Sequence, residues 1–148
     1  MSPVPETAGI LDAGCGSGAM TRCFGSRYAD LSVVGVDIRD EYVSYARGLQ
    51  NVKFKQGSVF DLPFANSGFD VVWSKYVMQW IDAPEKAAAE FRRVTKPGGI
   101  VVCCNFDGFA VTHYPEDKAL QRQILIVFPR LVDVYIGRKT APIFMHVA

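Results

Sequence analysis

The sequence predicts an α/β domain built on a mostly parallel sheet flanked by helices, and three observations carry that expectation. Short apolar runs alternate with segments able to form helices, which implies parallel strands covered on both faces. Runs such as Val101-Val102-Cys103-Cys104 are apolar without alternation, as strands buried on both sides are. The first such run turns into a helical segment through Gly14, Gly16 and Gly18, placed at alternate positions.

The elements follow in order. A strand over 8–13 leads through the glycines into a helix over 17–28, and a strand over 32–37, ending in Asp37, leads into a helix over 40–48. A strand over 52–56 is followed by a loop with a Leu62-Pro63-Phe64 step rather than by a full helix. Residues 69–74 form a fourth strand. A helix near 84–95 follows, with Pro84 suited to its first turn and Ala87-Ala88-Ala89 giving strong propensity. Lys96-Pro97-Gly98-Gly99 then turns into a fifth strand over 100–105. Beyond it, residues 116–136 carry Leu120, Ile124, Val127, Phe128 and Leu131 at mostly helical spacing, with Pro129 expected to kink or break that helix. A short helical piece from Thr140 to Val147 closes the chain. The apolar stripe of 116–136 reads as core packing against the sheet.

The glycine loop carries the first chemical signal. A buried strand that turns through glycines into a helix N-terminus points free backbone N–H groups at a ligand. Glycine is required where φ is positive or where a side chain would block the ligand's approach. Two cofactors fit these residues. Gly14, Gly16 and Ala19 match the dinucleotide fingerprint G-x-G-x-x-G/A, with Asp37 at the spacing of a ribose contact. Asp12, Gly14, Gly16 and Gly18 equally spell D-x-G-x-G-x-G, the first motif of S-adenosylmethionine-dependent methyltransferases. Under either cofactor, the Asp37 carboxylate suits two vicinal ribose hydroxyls.

Composition narrows the classes. A chain of 148 residues with 49% hydrophobic content can bury one core, and residues 1–148 show neither internal repeats nor a low-complexity linker, so a single domain is expected. A net charge of +1 gives no electrostatic footprint for nucleic acid or an acidic membrane surface. Arg92, Arg93 and Lys96 read as a solvated helix end that suits the dipole. No run approaches the roughly 20 apolar residues of a membrane span, and the N-terminus lacks a signal-peptide pattern, so cytoplasmic residence is expected. Cys15, Cys23, Cys103 and Cys104 match no zinc spacing. They read as small buried hydrophobes, and adjacent strand cysteines point to opposite faces.

Taken together, the glycine loop, the strand ending in Asp37, the Leu62-Pro63-Phe64 step and the Lys96-Pro97-Gly98-Gly99 turn resemble the class I methyltransferases. The likeness is to their small-molecule branch, which contains ubiquinone and menaquinone biosynthesis enzymes, and it covers roughly residues 8–106. It implies a Rossmann-like sheet of strand order 3-2-1-4-5, S-adenosyl-L-methionine as cofactor, and a small-molecule methyl acceptor. By the same resemblance Asp12, Gly14, Cys15, Gly16 and Gly18 hold the methionine end, Asp37 and Ile38 lie at the ribose, and Ser58 and Val59 meet the adenine edge. Ser58 stands where the family usually has an acid; it still offers one hydrogen bond, and the Val59 N–H serves a ring nitrogen. Ser74 and Tyr76, at the end of the fourth strand, complete the cofactor set, with Tyr76 offering a ring face to the sulfonium. Trp80 reads as either a core or a site residue, and Lys75 has to point to solvent. His113 and Tyr114 fall where family members meet substrate, and are candidates for acceptor chemistry beside an ordinary-loop reading.

The family also carries a helix before the first strand and two strands after the last helix. Their absence here suggests a trimmed or partial member whose 116–146 segment is helical. The fifth strand then becomes an unpaired apolar edge that invites self-association. Two alternatives remain: a non-catalytic module that binds S-adenosylmethionine or S-adenosylhomocysteine, and an NAD-type oxidoreductase.

Overall fold

The computed structural model describes residues 9–43, 49–107, 118–119, 133 and 135–146. Five strands, β1 (Ile10–Ala13), β2 (Val33–Asp37), β3 (Val52–Gln56), β4 (Phe69–Lys75) and β5 (Thr95–Cys104), form one sheet in the order β3-β2-β1-β4-β5. Every pairing is parallel, so the strand order and direction expected from the sequence hold. The described residues include the helices α1 (Ala19–Arg27), α2 (Asp40–Val43), α3 (Pro84–Val94) and α4 (Ile136–His146).

Burial explains the arrangement. Leu11, Val34, Val36 and Val72 bring one face of the sheet against Ala87, Ala88, Phe91 and Val94 of α3, all essentially inaccessible to water. Burying a side chain the size of Phe91 stabilises the fold by about 1.5–3 kcal/mol. Ile136 and Ile143 bring α4 onto the same core. Because the strands are parallel, their C-terminal ends share one edge. From β1 the chain winds outward to β2 and β3 and then crosses to β4 on the other side of β1, a reversal of strand order that opens a crevice above β1.

Several boundaries differ from expectation for local reasons. α1 starts at Ala19 rather than residue 17, because Gly18 sits at φ 76° and cannot be helical. β5 starts at Thr95 rather than 100. Thr95 pairs with Phe69 and Ile100 with Val71, so the Lys-Pro-Gly-Gly turn is a bulge inside the strand, and Lys96 there pairs with Asp70 at 3.0 Å. Asp133 and Tyr135 are not helical, although the expected helix ran to 136: the Asp133 carboxylate accepts the Tyr135 N–H at 2.8 Å and so turns the chain. α4 then begins four residues before the short piece expected at Thr140. Most of 116–135, and residues 44–48 of the second helix, lie outside the described residues. All four cysteines are free thiols, and none is fully buried as expected: Cys15 in the glycine loop and Cys103 and Cys104 on the last strand of the sheet are half-buried, and Cys23 on the outer face of α1 is exposed. Among the described residues no helix is long and apolar enough to cross a membrane.

Candidate functional site

The loop after β1 is built by positive φ values at Gly14 (76°), Gly16 (52°) and Gly18 (76°). The N–H groups of Gly14 and Cys15 both donate to the Val36 carbonyl, at 2.8 and 2.9 Å, which ties the loop to β2. Gly14 and Gly16 require glycine for different reasons. A Cβ on Gly14 would fall 2.2 Å from Val77 Cγ2, whereas a Cβ on Gly16 would meet nothing within 4 Å. Open space over a left-handed glycine in a turn ahead of a helix is what a closely approaching ligand needs.

Asp37 closes the other side. Its Oδ2 accepts the Gly16 N–H at 2.8 Å and its Oδ1 accepts the Arg39 N–H at 3.1 Å. A carboxylate has about four acceptor positions, so about two remain for hydroxyl donors. The Ile38 carbonyl accepts from Gln56 Nε2 at 3.0 Å, which fixes the strand end.

A cavity of about 650 Å³ opens beside these groups. Of the residues named from the sequence, Gly14, Asp37, Ile38, Ser58, Val59 and Tyr76 line it. Phe60, Val77 and Ile81 line it too, where the sequence did not place them, and so does Trp80, which the sequence left between core and site. Trp80 is half-exposed over the cavity: the turn Met78–Trp80 buries Met78 and Gln79 and swings the indole out. The signal for these residues was positional, since they follow β4 at the edge that carries the glycine loop. Tyr76 holds φ 60°, rare for a bulky residue, and its N–H donates to the Cys104 carbonyl at 2.7 Å. Its ring also lines the cavity, with the exposed Lys75 ammonium 5.1 Å from the ring centroid. A second cavity, about 640 Å³, opens between α3 and α4 and shares Ile81 with the first.

Among the described residues, the sequence candidates Asp12, Cys15, Gly16, Gly18 and Ser74 are not part of its lining. Asp12 is buried, and its Oδ2 accepts the Thr21 hydroxyl at 2.6 Å. Burial raises its pKa from 3.8 to about 6, against the lowering effect of Thr21. The folded-state value exceeds the unfolded one, so folding takes up a proton between these values. Stability from this group is complete below about pH 4 and is lost as the pH rises through about 6, a change on the order of 2–3 kcal/mol. Urea unfolding from about pH 4 to pH 7 is expected to show this fall in the native chain and not in Asp12→Asn. Burial likewise pushes the Cys15 thiol up to about 12, which keeps it protonated and non-nucleophilic. The Ser74 hydroxyl is buried without a hydrogen-bond partner. The Ser58 hydroxyl accepts the Phe60 N–H at 3.1 Å and keeps its own proton to donate. His113 and Tyr114 lie outside the described residues.

A parallel sheet of this order, with a glycine loop and a strand-end acid facing one cavity, defines a domain that binds a nucleotide-type cofactor. Comparison with known proteins then fixes the family. The chain belongs to a methyltransferase domain family, whose sequence profile matches residues 11–103. It is 34% identical over 139 residues to an uncharacterized methyltransferase of Schizosaccharomyces pombe, covering 83% of this chain and 50% of that protein. It is 33% identical over 102 residues to a malonyl-[acyl-carrier protein] O-methyltransferase of Pectobacterium atrosepticum, covering 68% and 40%. The fold superposes with a TM-score of 0.72 on phosphoethanolamine N-methyltransferase 2 of Haemonchus contortus, in complex with S-adenosyl-L-methionine. That match is 22% identical and covers 99% of this chain and 34% of the other. The chain thus spans about half the length of the curated relatives it matches. The matched family is one of methyltransferase domains, and the solved neighbour holds S-adenosyl-L-methionine. The open space over Gly16, the spare acceptor positions of Asp37 and the unpartnered Ser74 hydroxyl fit such a group.

Proposed function

We propose that this chain transfers the methyl group of S-adenosyl-L-methionine to a small-molecule acceptor at the 650 Å³ cavity. The observation that carries the reading is the convergence on one cavity of Gly14, Asp37 and the half-exposed rings of Tyr76 and Trp80. In this reading Asp37, beside Ile38, accepts the ribose hydroxyls, and the backbone from Gly14 to Gly18 holds the methionine end above Asp12. The Val59 N–H and the Ser58 hydroxyl meet the adenine edge, and Ser74 supports the region below Tyr76.

Bound there, the cofactor supplies an already activated sulfonium methyl. The chain's own task is then to bring the acceptor close and to exclude water. Phe60, Tyr76, Trp80 and Ile81 provide the apolar surface for both. Tyr76 lines the cavity with Lys75 Nζ over its ring, and in this reading the sulfonium takes a ring face as well, worth about 0.5–1 kcal/mol at an exposed site. Tyr76→Gly is expected to relieve the left-handed backbone and leave the melting temperature unchanged or higher. The same variant should weaken S-adenosylmethionine about threefold more than the uncharged S-adenosylhomocysteine. Equal weakening of both, measured by titration, contradicts the cation–π role.

We also propose that β5, the last strand of the described sheet, pairs with a second copy, as its exposed Ile100 suggests; light scattering that shows only monomer contradicts this. The four free thiols suit a reducing compartment and support residence in the cytoplasm.

The test of function is release of S-adenosylhomocysteine from purified protein over a panel of phenols, amines and carboxylic acids. A malonyl thioester belongs in the panel, because several relatives methylate malonyl-[acyl-carrier protein]. Acceptor-dependent release is expected. Cofactor binding without turnover across the panel contradicts catalysis and favours a binding module.

A further inference from the structure

Residues 57–68 join β3 to β4 without a helix, and their first part supplies Ser58, Val59 and Phe60 to the cavity wall. Most of the bonds that hold this segment come from α3, which lines no part of that cavity. The Arg93 guanidinium donates from Nη1 to the Phe64 carbonyl and Asn66 Oδ1, both at 2.9 Å, and from Nη2 to the Leu62 carbonyl at 2.9 Å. Its Nη2 and Nε also reach the two oxygens of Glu90 at 2.7 and 2.6 Å. All the N–H donors of the fork are thereby used. Glu90 Oε2 in turn accepts the Leu62 N–H at 2.7 Å. From the opposite side Lys55 Nζ donates to the Pro63 carbonyl at 2.9 Å.

The clamp grips Leu62, three positions beyond Val59, and the Asp61 N–H closes the intervening turn onto the Ser58 carbonyl at 3.2 Å. Little slack is left between the gripped residues and the wall. The bonds join an ion pair to loop carbonyls, a geometry that needs the planar fork of arginine; an ammonium cannot meet these acceptors together.

We propose that Arg93 and Glu90 are positioning residues for the cofactor's base: by clamping residues 62–66 to α3 they fix the wall of Ser58, Val59 and Phe60 that reads adenine. This rests on the placement of adenine given under the proposed function. It predicts that a change on α3, outside the cavity, alters base selectivity rather than stability alone.

The experiment compares S-adenosylhomocysteine with its inosine counterpart, in which a carbonyl replaces the 6-amino group and N1 becomes a donor facing the Val59 N–H. The native chain is expected to prefer the adenine ligand by about tenfold or more. Arg93→Lys, which keeps the charge, narrows that preference to about twofold, and Glu90→Gln moves it in the same direction. Equal weakening of both ligands with the preference intact overturns the proposal, since that is what a merely structural pair would give. A ligand-free measurement separates it from the functional reading: amide exchange over 58–62 should rise about tenfold in Arg93→Lys. Unchanged exchange overturns the clamp. If the native chain binds neither ligand, the functional reading falls, and the exchange result decides the clamp by itself.

Discussion

Replacing Asp37 with alanine is expected to weaken S-adenosylhomocysteine binding by about 10- to 100-fold, as loss of hydrogen bonds to a charged group should. The chain should still fold, because Asp37 is only partly buried and its neighbours Val33, Val34 and Val36 carry the core packing of β2. Part of the loss is indirect, since the same carboxylate holds the Gly16 N–H and with it the glycine loop. Asp37→Asn keeps the shape but offers one acceptor oxygen instead of two, and should fall between the native chain and Asp37→Ala. Calorimetric titration of the three proteins checks the order. Native affinity in a folded Asp37→Ala variant would show that the ribose lies elsewhere.

The second large effect separates two glycines of one loop. Gly14→Ala combines a left-handed backbone with a methyl group 2.2 Å from Val77 Cγ2, and is expected to cost roughly 2–5 kcal/mol of stability. Gly16→Ala meets no neighbour and should cost only the left-handed penalty, about 1–2 kcal/mol. Binding should respond in the opposite sense. The Gly16 methyl would enter the space that the ligand needs, so a well-folded Gly16→Ala chain should bind at least about 100-fold more weakly. Adding Val77→Ala to Gly14→Ala should recover part of the stability, whereas adding it to Gly16→Ala should bring no such recovery. Thermal melts and titration of the four proteins read both quantities. Intact binding in Gly16→Ala would place the ligand away from the loop.

The parts of the fold and site that were legible in the sequence are those fixed by neighbouring residues. Strand cores such as Val33-Val34 and Val101-Val102 announce themselves as apolar runs, and the glycine turn after Asp12 needs only its own backbone. The strand order came through the family resemblance, because no local pattern states which strands adjoin. What escaped depends on chain segments far apart in sequence. Thr95 joins β5 only because Phe69 stands opposite it across the bulge. Trp80 reads equally as core or site beside Met78, and the tight turn that exposes it is set by burial of Met78 and Gln79. Arg93 reads as an ordinary basic residue at a helix end, yet its bonds reach carbonyls about thirty positions earlier in the chain. Asp12 and Ser74 were placed with the cofactor by resemblance; one is bonded to Thr21 and the other is buried without a partner, both beside the cavity wall rather than in it.

The central claim, that this cavity is an S-adenosylmethionine site, is tested most directly by titrating the purified chain with S-adenosylhomocysteine and, in parallel, with NAD. Micromolar binding of the first and none of the second is the predicted result. Binding of NAD, or of neither ligand by a folded chain, would contradict it.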